Sequence, residues 1–281
     1  MRNNGLAETT ISTRIHALKQ LSVMTNLTKP EQVKQIIIAQ PWKSLTKRKY
    51  LESYAALLKS LGIQWTKPRI KIEARIPFIP TEQELDLLIA SCGKHMATLL
   101  QTLKETGARI SETVKLKWID LSTEQKTLNI TPTKNSNPRL LPISDKLLNM
   151  INQLPHDKQT IFAPNISGLR TSFCAQRKTA SQKLQNPRIQ RISFHTFRHW
   201  KGTMEYHLTK DLRHVQKILG HKNINNTQIY ENTAQALWLQ TNDNFTCKVA
   251  KDAEEASQLI ETGFEYVTTT PDQLMLFRKR K

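Results

Sequence analysis

Acidic residues are scarce in this chain of 281 residues, where 23 aspartates and glutamates stand against 42 lysines and arginines. The formal net charge is therefore +19 at pH 7. Such an excess repels itself unless a polyanion compensates it. The balance predicts a nucleic-acid partner, and the simpler alternative is a basic surface that binds no nucleic acid.

Cysteine is also rare. Cys92, Cys174 and Cys247 are odd in number and widely spaced, without a CxxC pair or a His-rich ligand spacing. A disulfide framework or a zinc finger needs such spacings. The sequence therefore predicts neither, and we expect ordinary thiols in a reducing compartment.

Long apolar runs are missing as well. No stretch of 18 apolar residues is present, and the first twenty residues lack the apolar centre of a signal peptide. A membrane-spanning helix needs about 20 apolar residues, and secretion needs that signal core. We expect no membrane partner and a cytoplasmic, nucleoid-associated location. The hydrophobic fraction of 38% is still adequate for folded cores.

The positive charge is spread over most of the chain. Residues 1–75 hold 14 basic and 4 acidic side chains, residues 76–245 hold 22 and 13, and residues 246–281 hold 6 and 6. Because two large segments share the excess, the distribution predicts a broad footprint on double-stranded DNA rather than a basic tether.

Residue patterns divide the chain into four predicted segments. Apolar residues at helical spacing predict a helical N-terminal DNA-binding domain of three or four helices over 1–65. The basic stretch 66–80 contains three prolines and is typical of a linker. Residues 81–245 are predicted to form a larger domain, and residues 246–281 a C-terminal extension with a helix followed by a strand.

The larger domain is predicted to be mainly helical with one small β-hairpin. The sequence TEQE from Thr81 has the form of a capping box that begins a helix. Residues 127–143 contain two β-branched runs separated by NSNP, which predicts a hairpin with Lys134 near its turn. Helical patterns resume after it, so the fold class is mainly α with a small sheet.

The segment from Phe194 to Tyr230 carries the residues suited to chemistry. A tyrosine hydroxyl can be a covalent nucleophile, yet with a pKa of about 10 only roughly one in a thousand is ionised at neutral pH. Nearby cations or a base must therefore assist it. A lone Tyr230 on an amphipathic helix would be a packing residue; His195, Arg198 and His221 in the same segment favour the catalytic interpretation.

His195 and Arg198 are three residues apart and share one face of a predicted helix, where the guanidinium can bind two phosphate oxygens. His199 lies four residues beyond His195, a spacing also found in zinc proteases. Position 196 is Thr where those enzymes need Glu, and an arginine between the ligands would repel a metal. We therefore predict no metal and no cofactor.

These motifs, in this order, resemble those of the tyrosine recombinase, or phage-type integrase, family over roughly residues 81 to 235. TGARISETVKLKWIDL is similar to its first arginine box and supplies Arg109 and Glu112. The predicted hairpin supplies Lys134, although the basic residues Lys126 and Arg139 are nearby. FHTFRH supplies His195 and Arg198, LGH supplies His221, and NNTQIY supplies Tyr230. The GFEYV and LFRKRK segments are similar to the tails of archaeal members.

The resemblance implies a core-binding domain at the N-terminus, a recombinase catalytic domain after it, and a homotetramer on paired DNA sites. It implies that the catalytic arginines and His221 bind the scissile phosphate, that His195 moves a proton and that Lys134 protonates the leaving oxygen. Glu112 is expected to support the pocket, and Tyr230 to form a 3′-phosphotyrosine bond without metal or ATP. The alternatives are a type IB topoisomerase-like enzyme and a catalytically silent DNA-binding protein of the same fold.

Overall fold

The computed structural model describes residues 6–72, 76–133, 136–238 and 245–280. The chain forms two compact units that divide between residues 75 and 76. The finer division into a linker over 66–80 and an extension from 246 stays a prediction.

The described residues of the first unit form three helices, α1 (Glu8–Met24), α2 (Pro30–Ala39) and α3 (Ser44–Ser60). Pro30 begins α2, where a missing backbone N–H costs nothing because that N–H has no helical partner. The Tyr54 hydroxyl of α3 donates to the Leu27 carbonyl at 2.8 Å and so fixes the α1–α2 connection. The buried apolar side chains of this unit are Ala17, Leu21, Val33, Ile37, Tyr50, Leu51, Tyr54 and Leu58.

The second unit begins with α4 (Glu82–Ala90) and α5 (Lys94–Thr106). The predicted capping box is confirmed: the Thr81 hydroxyl accepts from the Glu84 N–H at 3.1 Å, and the Glu84 carboxylate accepts from the Thr81 N–H at 2.8 Å. Glu84 also pairs with Arg188 at 2.8 Å, which connects α4 to a distant part of the chain. Hydrogen bonds hold the pKa of Glu84 at about 2 despite its burial, so the cap stays ionised.

A short helix, α6 (Ile110–Thr113), leads into a small sheet of β1 (Leu121–Ser122), β2 (Thr127–Ile130) and β3 (Arg139–Pro142). The strands are antiparallel in the order β1-β2-β3, and Ile130 pairs with Arg139. The predicted hairpin over 127–143 is therefore confirmed. Lys134, predicted near its turn, lies outside the described residues.

Five further helices complete the part of this unit that carries the predicted site: α7 (Asp145–Asn152), α8 (Ile166–Lys183), α9 (Phe194–Thr209), α10 (Leu212–Leu219) and α11 (Gln228–Trp238). Helix α9 is central because it packs against α5, α10 and α11. Its Phe197 and Trp200 are buried in the core. The helix thereby carries His195 and Arg198 to the point where α11 presents Tyr230.

The C-terminal residues contain more strand than the sequence predicts. Strand β4 (Phe245–Ala250) precedes α12 (Ala253–Glu261), and β5 (Glu265–Thr269) and β6 (Met275–Arg280) follow it in the sheet order β4-β6-β5. The prediction of one helix and one strand is wrong by two strands. Strand β4 forms by pairing with β6, about 30 residues away, and local patterns do not report such non-local partners.

The described residues are mainly helical with two small antiparallel sheets, as predicted.

We expect Thr81→Ala to lower the free energy of unfolding by about 1 kcal/mol, because the N–H of Glu84 loses its cap. Urea denaturation measures this change. Thr171→Ala is the matched control, since the exposed Thr171 hydroxyl bonds only within its own helix. Equal losses in the two variants would contradict the prediction.

Candidate active site

Arg198 is a fully buried cation in the second unit, with 1% of its surface exposed. One terminal nitrogen donates to the Gly107 carbonyl at 2.7 Å and the other to the Leu219 carbonyl at 2.6 Å. Loss of hydration, and then the charge of Arg109, lower the pKa of Arg198 to about 10. The guanidinium remains protonated at neutral pH, and two backbone carbonyls fix its plane.

Arg109 reaches the same region from the N-terminus of α6. Its guanidinium donates to Glu112 at 3.0 Å, and its backbone N–H donates to the other carboxylate oxygen at 3.0 Å. Glu112 also accepts from the buried Arg139 at 2.6 Å. Burial alone raises the pKa of Glu112, but the Arg109 N–H and the Arg139 charge outweigh it, so the pKa falls below its usual range. The carboxylate is therefore ionised and holds two arginines.

The turn at the end of α10 holds these groups together. The Leu219 carbonyl accepts from both Arg198 and Arg139, and the Gly220 carbonyl accepts from the Ser136 hydroxyl. Ser136 in turn accepts from Arg109 at 3.2 Å. Gly220 has φ +67°, and an added Cβ would lie 2.7 Å from a terminal nitrogen of Arg139. Only glycine fits this left-handed, crowded position.

Tyr230 packs its ring onto a glycine of α9. A Cβ at Gly202 would lie 2.8 Å from Cζ of Tyr230 and 2.9 Å from Cδ1 of Leu219, so the missing side chain makes the seat of the ring. Tyr230 is 2% exposed. This burial raises the pKa of its hydroxyl, while the charges of Arg198 and Arg109 act in the opposite direction.

His221 follows the α10 turn directly and lies beside the tyrosine. The two rings are nearly parallel, at 8°, with centroids 6.2 Å apart. Nδ1 of His221 is 3.0 Å from the Thr227 hydroxyl. Burial, and then the charges of Arg198 and Arg109, lower the pKa of His221 to about 3. The imidazole is therefore neutral at physiological pH.

Two more histidines of the site, His195 and His199, belong to α9. His195 is exposed, yet partial loss of hydration and the charges of Arg198 and Arg109 lower its pKa, which favours the neutral ring. His199 stacks edge-on against His195 at 4.6 Å and lies 5.9 Å from the Tyr230 ring. Burial lowers the pKa of His199 to about 4, and its Nδ1 has no hydrogen-bond partner among the described groups.

The structure brings together six of the seven residues predicted from the sequence: Arg109, Glu112, His195, Arg198, His221 and Tyr230. Lys134 lies outside the described residues. The two basic residues that lie near it in the sequence each have an acidic partner. Lys126 pairs with Asp145 at 2.7 Å, and Arg139 is buried against Glu112.

Sequence reasoning missed three members of this site: Arg139, Ser136 and Gly202. Arg139 and Ser136 contact the site through partners 27 to 84 residues away, and no local pattern reports such pairs. Gly202 did leave a signal, because glycine within a helix costs about 1 kcal/mol relative to alanine and usually has a packing reason.

Residues 6–72, 76–133, 136–238 and 245–280 contain no group of three or more His, Cys, Asp or Glu side chains arranged to hold a metal ion. Within the same ranges, every helix is too short or too polar to cross a membrane. The site is thus a cluster of arginines, neutral histidines and one tyrosine.

The low pKa of His199 predicts acid sensitivity. The unfolded chain binds a proton at this residue between about pH 6.5 and pH 4, and the folded protein does not. Stability is therefore complete above pH 6.5 and decreases as the pH falls through that window. Between pH 6 and pH 5, the free energy of unfolding of His199→Gln should fall by about 1 kcal/mol per pH unit less than that of wild type, as measured by urea denaturation.

The control for this experiment is His156→Gln. His156 is exposed and stacks on Trp118, away from the site. The slope of stability against pH should be steeper in this control than in His199→Gln. Identical slopes would contradict the prediction.

Comparison with known proteins identifies relatives of this fold. The chain is 29% identical over 180 residues to tyrosine recombinase XerC of Pelotomaculum thermopropionicum, covering 57% of this chain and 58% of the relative. It is 29% identical over 188 residues to XerD of Neisseria meningitidis, covering 60% and 63%. With XerA of Pyrococcus horikoshii the identity is 26% over 239 residues, covering 80% and 74%. The chain thus spans less than two thirds of the length of the first two relatives.

Two solved structures share the fold. The Tn1549 transposon integrase, in complex with transposon right end DNA, superimposes with a TM-score of 0.64 at 16% identity, covering 85% of this chain and 96% of that one. A lambda integrase dimer bound to a COC′ core site gives a TM-score of 0.64 at 14% identity, covering 82% and 90%. Residues 79–236, more than half of the sequence, match the Phage integrase family, and the chain belongs to that family.

Proposed function

We propose that this protein is a site-specific recombinase that cleaves and rejoins double-stranded DNA through a covalent 3′-phosphotyrosine at Tyr230. One observation carries the proposal: the buried Tyr230 hydroxyl lies in the field of Arg198 and Arg109, and the His221 ring stacks beside it. These groups come from four separate chain segments. Their convergence on one phenol fits the attack of that phenol on a phosphate.

Arg198 and Arg109 bind the non-bridging oxygens of the scissile phosphate. Five N–H groups are available on each guanidinium, so the carbonyls that hold Arg198 leave donors for the phosphate. The fixed donors stabilise the extra negative charge of the pentacoordinate transition state without reorganising. Glu112 supports the pocket by orienting Arg109, and it does not react.

His221 donates the third hydrogen bond to the phosphate. Its pKa of about 3 makes the ring neutral, so only one nitrogen carries a proton. Nδ1 is occupied by the Thr227 hydroxyl. A donor role for Nε2 therefore requires the Thr227 hydroxyl to donate to Nδ1, which fixes the tautomer.

Proton transfer involves one residue on each side of the phosphorus. The neutral, exposed His195 accepts the proton of Tyr230, because its lowered pKa leaves a free ring nitrogen at neutral pH. The phenol oxygen then bonds to phosphorus, and the bond from phosphorus to the 5′ oxygen breaks. Lys134 gives a proton to that oxygen, which leaves as a 5′ hydroxyl.

The reaction forms one phosphoester bond, to Tyr230, for each phosphoester bond of the DNA that it breaks. Rejoining therefore needs no ATP. Strand exchange between two duplexes requires four cuts, and four copies of the chain supply one tyrosine each. We therefore propose a homotetramer on two paired DNA sites in the nucleoid. The net charge of +19 serves the phosphate contacts of this assembly.

DNA binding has to open the pocket. Tyr230 and Arg198 are 2% and 1% exposed, so a phosphate cannot reach either group in the arrangement described above. The opening must separate Tyr230, a residue of α11, from its seat on α9. Cleavage is thereby limited to DNA whose contacts with the protein supply the free energy for this movement.

Tyr230→Phe tests the proposal. Wild type, incubated with a labelled pool of random-sequence duplexes, should form a DNA adduct that survives denaturing detergent and persists in EDTA. The variant should form none, because phenylalanine has no nucleophilic oxygen. Sequencing the DNA ends of the captured adduct identifies the cleavage site.

Tyr206→Phe is the matched control, since the Tyr206 hydroxyl bonds Glu231 and not the arginines. This variant should retain the adduct. A wild type without an adduct, or an adduct that persists in Tyr230→Phe, would overturn the proposal. Loss of the wild-type adduct in EDTA would overturn its metal-free form.

Gly202→Ala should separate activity from stability. The new methyl group would overlap the Tyr230 ring and so weakens the seat from which DNA binding must release it. Alanine also favours the helix by about 1 kcal/mol, which offsets the overpacking. We expect adduct formation to become about tenfold faster with little change in melting temperature, because less binding energy is used to release the ring. Equal or slower rates would show that the seat does not restrain the ring.

A further inference from the structure

We propose that Arg139 is a positioning residue that neutralises Glu112, and so keeps the net charge of the pocket matched to the transition state. The inference rests on the proposed cleavage of DNA by Tyr230. Arg139 is a buried arginine of strand β3 and takes no step in the proposed mechanism.

Both terminal nitrogens of Arg139 are bonded within the protein. Its side chain is 2% exposed, one terminal nitrogen donates to Glu112 at 2.6 Å, and the other donates to the Leu219 carbonyl. Its Nε is buried without a hydrogen-bond partner among the described groups. Burying a guanidinium with an unbonded N–H is costly unless an acidic partner compensates its charge. The partner here is the carboxylate that also holds Arg109.

The described pocket has a positive net charge. Arg109, Arg139 and Arg198 contribute three positive charges, and Glu112 contributes one negative charge. The histidines contribute none at neutral pH because their pKa values are lowered. The sum is +2. A phosphodiester carries −1, and its pentacoordinate transition state carries −2, so the excess positive charge of the described pocket stabilises the transition state more than the substrate.

Without Arg139 the sum would be +1, and the Glu112 carboxylate would compete with the phosphate for Arg109. Arg139 also has a geometric effect, because it joins the first residue of β3 to the turn that holds Arg198. Ser136 and Asn137 bond the same turn through the Gly220 carbonyl. The start of β3, five residues after Lys134, is thus fixed to the backbone that precedes His221.

A neutral substrate separates the electrostatic role from a purely structural one. In a methylphosphonate, one non-bridging oxygen is replaced by a methyl group, and the transition state carries −1 instead of −2. Using the duplex identified by sequencing the adduct, we expect Arg139→Met to slow adduct formation about 100-fold on the phosphate. On the methylphosphonate the loss should be less than about tenfold. Equal losses on the two substrates would overturn the inference, as would a wild-type rate.

Two further variants keep the test independent of folding. Arg139→Lys keeps the positive charge, and the double variant Arg139→Met/Glu112→Gln restores the sum to +2. Both should have the wild-type ratio of phosphate to methylphosphonate rates, even where their absolute rates are lower. A ratio in the double variant that differs from wild type by tenfold or more would overturn the charge argument.

The control is Arg188→Met, which breaks a different pair of arginine and glutamate in the same unit, with Glu84 at 2.8 Å. Its ratio should equal that of wild type. Absence of a Tyr230 adduct in wild type would overturn the proposed function, and this inference with it. A wild-type adduct with an unchanged ratio in Arg139→Met would overturn this inference alone.

Discussion

Two buried guanidiniums share one backbone carbonyl, that of Leu219, and the rest of the site depends on this contact. Like charges in a desolvated interior repel strongly and need fixed partners. The structure supplies them from the end of helix α10, where Gly220 turns the chain, and from the Glu112 carboxylate. The same turn carries His221 out of α10. One backbone conformation therefore fixes the two arginines and the histidine relative to each other.

Burial and the nearby positive charge act together on the histidines of the site. Loss of hydration lowers the pKa of His195 and His221, and the arginine charges lower it further, so both rings are neutral. The positive charge also opposes the effect of burial on the pKa of Tyr230. In the proposed mechanism the arginines therefore have two effects, because they bind the phosphate and also oppose the effect of burial on the nucleophile.

The sequence predicted the parts of this site that lie in short motifs. The capping box at Thr81 and the α9 face that carries His195 and Arg198 depend on neighbours three or four residues away, which periodicity reports. The place of Arg139 in the site was not predicted, because its partners are distant in the sequence and a buried arginine in a strand has the same local pattern as an exposed one. Strand β4 was not predicted for the same reason. What sequence patterns omit here is the tertiary pairing that converts charges into a pocket.

The seat of the tyrosine on Gly202 links the geometry of the fold to control of the reaction. The ring is packed into the space of a missing Cβ, where van der Waals contacts rather than a covalent bond hold it. While it is seated, burial keeps the hydroxyl protonated and hidden from phosphate. In the proposed mechanism, DNA contacts displace α11, and the hydroxyl then gains access to the phosphate and to the exposed His195 together. Packing at one glycine would in this way couple the reactivity of Tyr230 to the binding of its substrate.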